Sequence, residues 1–447
     1  MIPRLILSNL QEWAGRKDAK PLIIRGARQV GKTTVVHQLG EKFDHFLKLN
    51  LERPADQEAF GTFTTVEELL QRLFFFQNIP FSPTRNTLLF LDEIQAYPPA
   101  IPVLRYLYEE APQLRVIAAG SLLESLLAGG VTFPVGRVTY RFLRPISFPE
   151  FLLALGEEQA FEQLLKIPLV EFARPKLRQL FREYVLVGGM PEVVQQYSQT
   201  KDLVANQELY EALFTAYLDD VEKYASSDSQ RKVIRHAIRA AFIEAGNRIK
   251  FQGFGKSNYR SREMGEALRT LEQALLLQLM YPCTQTRLPI LPNQRKSPRL
   301  QVLDTGLLSH FAGLQAQILR TNQLQQVFEG KLIEHVIGQE LLASSFSPTH
   351  RNHFWVREKK TSVAEVDFVV PFAGWLIPVE VKAGKSGSLR SLLLYMEDAP
   401  HPYAVRLYDG PVKLEFLKPP NGKAFQLLNL PYQVGSQLNG YLSWAFE

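Results

Sequence analysis

Gly26-Ala27-Arg28-Gln29-Val30-Gly31-Lys32-Thr33 fits G-x-x-x-x-G-K-[ST]. The apolar run Leu22-Ile23-Ile24 precedes it, and a helical pattern from Thr34 to Leu39 follows. Strand, glycine-bearing loop and helix in that order suit a bound phosphate. The two glycines let the backbone curl so that successive N–H groups point inward, and the helix adds its positive N-terminal end. Gly26, Ala27, Arg28, Gln29, Val30, Gly31, Lys32, Thr33 and Thr34 are therefore the candidate nucleotide-binding residues. Lys32 is expected to reach the β- and γ-phosphates of ATP, and Thr33 to offer a Mg2+ ligand.

Working outward, Leu88-Leu89-Phe90-Leu91-Asp92-Glu93 reads as a buried strand ending in two carboxylates. Asp92 is expected to hold Mg2+ through water and Glu93 to polarise an attacking water, which favours hydrolysis over simple binding. Further strands are expected at Leu47–Leu51, Val116–Ala119 and Tyr140–Leu143. Near-continuous apolar strands alternating with amphipathic helices indicate an α/β domain with a parallel sheet. Thr65-Val66-Glu67-Glu68 has capping-box spacing and should open one of those helices. Ser121, just beyond the apolar run, is placed to sense a γ-phosphate or to cap a helix. Arg137 is a candidate arginine finger toward a neighbouring subunit, with a plain surface arginine as the other reading.

The 447 residues suggest two to four domains. A single cysteine, Cys283, excludes an internal disulfide framework and a Cys-rich zinc module. The longest apolar stretches are cut by Arg115 and Glu124, and by Asp367, Pro371, Gly374 and Pro378, short of the ~20 residues of a membrane span. No membrane partner and a cytoplasmic location are expected. The net charge of +6 permits nucleic-acid binding without demanding it. Past Pro145-Ile146-Ser147-Phe148-Pro149 the chain reads as helical from Glu150 to about Leu279, with Leu268, Leu271, Leu275 and Leu279 at helical spacing. A helix is expected over Lys331–Ala343, then strands around Val366–Val370 and Trp375–Val381, with a weakly patterned tail after Pro419.

Leu91-Asp92-Glu93-Ile94-Gln95, Ala119-Gly120-Ser121-Leu122-Leu123-Glu124, Gly136-Arg137 and Val187-Gly188-Gly189-Met190-Pro191-Glu192 join the phosphate loop in a wider resemblance. Together they resemble the prokaryotic predicted AAA+ ATPases related to the STAND and archaeal-ATPase groups, over nearly the whole chain. The resemblance implies a P-loop NTPase core with strand order 5-1-4-3-2, then a helical and winged-helix region, then an α+β nuclease-like domain. The corresponding expected domains are 1–145, 146–225, 226–319 and 320–447. It also implies that Gly189-Met190-Pro191 approaches the adenine, making Pro191 a cofactor-binding candidate. A simple Gly-Pro turn between helices remains the other reading.

A second constellation lies near the C-terminus. Glu365-Val366-Asp367-Phe368-Val369-Val370 and Pro378-Val379-Glu380-Val381-Lys382 flank Pro371-Phe372-Ala373-Gly374. A hairpin turning about the Ala373–Gly374 bond puts Asp367 opposite Glu380 and Glu365 opposite Lys382. Facing Cβ atoms lie about 4.5–5.5 Å apart, so two carboxylates there repel unless a cation separates them. The pattern matches the PD-(D/E)xK nucleases, and the resemblance implies such a C-terminal domain. Asp367 and Glu380 are then expected to bind Mg2+ or Mn2+, Glu334 to assist from the preceding helix, and Lys382 to position the water. An amphipathic hairpin with a surface ion pair, or an inactive binding module, remains the other reading.

Arg248, Lys250, Lys256, Arg260 and Arg262 cluster beside Phe251, Phe254 and Tyr259. A helix from Ser261 would make this a DNA-contacting winged-helix surface, against a solvated loop as the alternative. Two functions follow: an ATPase that controls a nuclease acting on DNA, or a nucleotide switch whose C-terminal domain only docks. Arg137 is the residue that points to a homo-oligomer.

Overall fold

A computed structural model describes residues 2–82, 86–120, 133–220, 225, 227–315, 326–359, 362–384 and 387–447. Helix α1 (Ile6–Ala14) leads into β1 (Leu22–Arg25), and the phosphate loop joins β1 to α2 (Lys32–Gly40). Strands β2 (His45–Asn50), β3 (Thr87–Asp92), β4 (Arg115–Gly120) and β5 (Thr139–Phe142) complete the sheet. Its order is β2-β3-β4-β1-β5, and every pairing is parallel. This is a P-loop NTPase fold, with the strand order that the resemblance implies.

The strands read as apolar runs because both faces are covered. Leu89 and Leu91 of β3 pack under α3 (Val66–Phe76) and α4 (Ala100–Glu110), while Leu88 and Phe90 face α1 and α2. Helix α3 starts where its capping residue places it: the Thr65 hydroxyl accepts the Glu68 N–H at 3.1 Å.

After β5 come α5 (Phe148–Ala154), α6 (Arg174–Val187), α7 (Pro191–Thr200) and α8 (Gln207–Asp220). Next are α9 (Asp228–Glu244), α10 (Ser261–Gln273), β6 (Leu277–Met280), β7 (Pro282–Cys283) and β8 (Arg299–Val302). The run of leucines at helical spacing does not mark one helix. Helix α10 ends at Gln273, Leu275 turns at φ +63°, and Leu279 lies in β6. Leu268, Leu271 and Leu279 all reach the same core, so spacing alone mimicked a longer helix. Strands β6 and β8 form an antiparallel pair beside α10, an arrangement compatible with a winged-helix unit.

Helices α11 (Thr305–Phe311) and α12 (Gln326–Ala343) lead to β9 (Phe354–Lys359), β10 (Ser362–Val366), β11 (Phe368–Phe372) and β12 (Trp375–Val381). Beyond α13 (Arg390–Asp398) follow β13 (Tyr403–Tyr408), β14 (Lys413–Leu417), β15 (Phe425–Pro431) and α14 (Leu438–Phe446). The second mixed sheet runs β11-β12-β13-β15-β14, compatible with an α+β nuclease-like domain. The hairpin has the expected register, Phe368 opposite Val379 and Phe372 opposite Trp375. Its turn residues Ala373 and Gly374 both take positive φ, as a two-residue loop requires. One expected pairing fails. Glu365 does not oppose Lys382, because the strand is interrupted by a bend at Asp367 and Glu365 pairs with Val356 of β9. The weakly patterned tail is structured: β15 lies inside the sheet between β13 and β14, and α14 follows it.

Candidate functional site

The phosphate loop emerges at the carboxyl end of β1. Gln29 and Gly31 take φ of +63° and +93°, turning the backbone to present its amides. Gly26 has no room for a side chain, since a Cβ there would lie 2.5 Å from the Leu143 carbonyl oxygen. Lys32 is buried, and its Nζ donates to the Gly26 and Ala27 carbonyls at 3.0 and 2.9 Å. Burial pushes its pKa down, while Glu93 and Asp92 pull it back up.

The Thr33 hydroxyl donates to Asp92 Oδ2 at 2.7 Å. Burial raises the Asp92 pKa, and this hydrogen bond counters the shift. Threonine and aspartate here form a pair of hard oxygen donors that fits Mg2+. Glu93 sits next to them at φ +51°, its carboxylate accepting from the Gln95 amide.

Arg28, Gln29, Gly31, Lys32, Thr33, Thr34 and Glu93 line a cavity of about 580 Å³ together with Pro191. Pro191 is the first residue of α7, and Met190 before it is buried. Helix α8 closes another side, where Arg28 pairs with Asp220. Ser121 lies outside the described residues. Arg137 pairs with Glu109 at 2.7 Å and stands two residues before Thr139, which opposes Leu22 at the start of β1. It is therefore at the edge of the sheet opposite its own phosphate loop.

Arg4 was not legible as a site residue. Its Nη1 donates to the Val30 carbonyl at 2.8 Å, its Nη2 to the Arg144 carbonyl at 2.7 Å, and its Nε to Glu150 at 3.1 Å. The pair is buried and braces the phosphate loop, and Arg4 also lines the cavity. The partners are 146 residues apart, and no local pattern marks either one.

The C-terminal carboxylates do meet, but around a guanidinium. Arg299 of β8 is buried and donates to Glu334, to Glu365 and, at 3.1 Å, to the Asp367 carbonyl. Its Nη2 is 3.9 Å from Asp367 Oδ1, and its guanidinium stacks 4.6 Å over Phe354. Burial works against the charged guanidinium, yet Glu334, Glu365 and Asp367 outweigh it and hold its pKa above normal. Asp367 Oδ2 also accepts the Val381 N–H at 2.7 Å. Lys382 Nζ donates to Glu380 Oε1 at 2.5 Å, and the buried Glu380 Oε2 has no hydrogen-bond partner. Burial raises the pKa of Glu334, Asp367 and Glu380. Among the described residues no three acidic, His or Cys groups are arranged to hold a metal ion. In this conformation the residues therefore do not fit Mg2+ or Mn2+, because Arg299 supplies the positive charge instead.

On the middle region, Lys250, Lys256, Arg260 and Arg262 are exposed. Phe254 is buried, and Phe251 and Tyr259 pack against the core. Among the described residues no helix is long and apolar enough to cross a membrane.

Residues 18–152 match the family model of the AAA domain. Residues 178–318 and 329–419 match two domains of unknown function, DUF8612 and DUF4143. None of the curated proteins matches the chain. Among solved structures, the chain is similar to a Walker-type ATPase of Pyrococcus abyssi. The identity is 14% and the TM-score 0.45, over 70% of this chain and 96% of that one. It is also similar, at 13% identity and a TM-score of 0.29, to a Signal Transduction ATPase with Numerous Domains (STAND) protein of Pyrococcus horikoshii with a tetratricopeptide repeat sensor. That match covers 76% of this chain and 45% of the other, so the chain spans less than half of that protein's length. Residues 18–152 thus combine an all-parallel P-loop NTPase sheet and its phosphate loop with a match to the AAA domain model.

Proposed function

We propose that the chain is a Mg2+-dependent ATPase whose nucleotide state acts on its C-terminal domain. The observation that carries this reading is the Thr33–Asp92 hydrogen bond at 2.7 Å, beside the buried Lys32 and on the cavity that Pro191 also lines. Mg2+ would supply charge neutralisation between the β- and γ-phosphates. Thr33 and Asp92 would hold it. Lys32 exchanges its two loop carbonyls for phosphate oxygens. The loop amides cradle the phosphates, Pro191 abuts the base, and Glu93 orients the attacking water once released from Gln95. Because Arg137 stands at the far edge of the sheet, it serves a nucleotide only across an interface between two copies of the chain.

The C-terminal domain is read as a nuclease-like module, with DNA as the candidate substrate and Lys250, Lys256, Arg260 and Arg262 as candidate phosphate contacts. One observation favours the second reading, a switch whose C-terminal domain docks without cutting: Arg299 occupies the centre of the carboxylates. The test is DNA cleavage by wild type and by Asp367→Ala with Mg2+ or Mn2+, with and without ATP. No cleavage by wild type in the absence of ATP is expected. Cleavage without ATP that disappears in Asp367→Ala would replace the docking reading with a constitutive nuclease. Wild-type ATP turnover by Lys32→Ala would overturn the ATPase reading itself.

A further inference from the structure

A second cavity lies where three parts of the chain meet: the end of β5, the α10–β6 turn, and α12 with the loop after it. It holds about 70 Å³ and is lined by Phe142, Arg144, Gln278, Gln339, His350 and Arg351, among others. That volume takes several waters or one phosphate-sized ion, but not a nucleotide.

Its charge is unbalanced. Arg144 lies on the Phe142 ring, 4.6 Å from the centroid, and Arg25 approaches the same ring at 5.2 Å. Nε of Arg144 is buried and has no hydrogen-bond partner among the described residues. Among the described residues, no carboxylate pairs with Arg144. Burial, Arg351 and Arg25 push its pKa down to about 10, a shift with no acidic group countering it. His350 also feels the charge of Arg144, and its ring Nε2 is 2.8 Å from the Leu341 carbonyl oxygen. Glu272 lines the cavity too, but its carboxylate is already committed. It accepts from Arg351 and from the Leu279 N–H, both at 3.1 Å.

A guanidinium taken out of water without a counter-charge is costly. The pattern contrasts with Arg299, which is buried and surrounded by carboxylates. An anion in the cavity would supply the counter-charge that Arg144 lacks, because guanidinium nitrogens match the oxygens of a tetrahedral oxyanion.

We propose that this cavity is a binding site for a phosphate-sized oxyanion, held by Arg144 with help from Arg351 and separate from the phosphate loop. The Arg144 carbonyl already accepts from Arg4, whose other nitrogen holds the Val30 carbonyl. The site is thus one residue removed from the nucleotide cradle.

The experiment uses the full chain carrying Lys32→Ala, so that binding in the phosphate loop is weakened. Its thermal midpoint is followed against inorganic phosphate, and against sulfate, with sodium chloride matching ionic strength. A saturable rise with both oxyanions, absent with chloride, is expected. Adding Arg144→Met should abolish that rise while leaving the midpoint in chloride unchanged or higher, because an uncompensated charge has been removed. Arg351→Gln, at an exposed position, should weaken the apparent affinity without abolishing it. An undiminished rise in the Arg144→Met background, or no saturable rise in the Lys32→Ala parent, would overturn the site. A midpoint that falls in chloride on Arg144→Met, with the anion response retained, would mark Arg144 as purely structural and overturn it equally.

Discussion

The carboxylate of Asp304 accepts the backbone N–H of Gly189 at 2.6 Å and also caps helix α11 by accepting from the Leu307 N–H at 3.0 Å. One buried side chain thereby ties the turn before Pro191 to the helix that precedes the C-terminal domain. The fit leaves no slack. A Cβ on Gly188 would sit 2.4 Å from Asp304 Oδ1, and one on Gly189 would sit 2.2 Å from the Ile146 carbonyl oxygen.

Asp304→Ala should destabilise the protein by about 2–3 kcal/mol, since it leaves buried donors without an acceptor. Urea denaturation at neutral pH measures this. Burial pushes the Asp304 pKa up to about 6, above the unfolded value of about 4. The folded chain therefore holds this proton more tightly than the unfolded chain does. Its contribution to stability is greatest below pH ~4, declines as pH rises toward ~6, and is level above that. Asp304→Asn should flatten that part of the stability profile. An unchanged slope between those pH values would show that the carboxylate is not the titrating group.

Lys32→Ala should lower ATP turnover by at least about a hundredfold, the scale seen when one donor to a developing negative charge is lost. Binding of ATP by equilibrium dialysis should weaken as well, since Lys32 is expected to contact phosphate before and during the reaction.

Glu93→Gln should behave differently. Turnover is expected to fall by roughly 10²–10⁴, the range of a general base, with ATP binding retained. Equal losses of binding and turnover would place Glu93 in the cradle and not on the water.

Arg4→Met should cost about 3–5 kcal/mol by leaving Glu150 buried without its partner, as for other broken buried pairs. It should also weaken ATP binding, because the Val30 carbonyl loses its brace. The paired change Arg4→Met with Glu150→Gln should recover part of the stability and little of the binding.

Arg299→Met removes the positive charge from among Glu334, Glu365 and Asp367. The variant should lose about 3–5 kcal/mol, and Mn2+ should restore part of it while leaving the wild-type thermal midpoint unmoved. Restoration would show that the carboxylates accept a cation once the guanidinium has left. Equal effects of Mn2+ on both proteins would assign the cluster to interdomain packing.

The nucleotide half was open to reading because its parts are local. Gly26 to Thr33 is one loop between a strand and a helix, and Asp92-Glu93 closes one apolar strand, so spacing carries the chemistry. The hairpin register was equally local, because a two-residue turn at Ala373-Gly374 sets it. Reading failed where local pattern met a break in the chain. The helical leucine spacing ran through the end of α10, and the strand ladder assumed for Glu365 was interrupted at Asp367.

The sequence by itself determined the phosphate loop, the acidic strand end and the parallel α/β character of the core, since each follows from short-range periodicity and backbone sterics, while the strand order came from the resemblance. Only the tertiary structure decided which charges face one another. Arg4 meets Glu150, Asp304 meets Gly189, and Arg299 enters a ring of carboxylates 35 to 68 residues away. Such pairings depend on how separate elements dock, and a charged residue buried at a docking surface looks in sequence like one left in water. The same carboxylates that suggest a metal site therefore, once folded, share an arginine that no spacing rule connects to them.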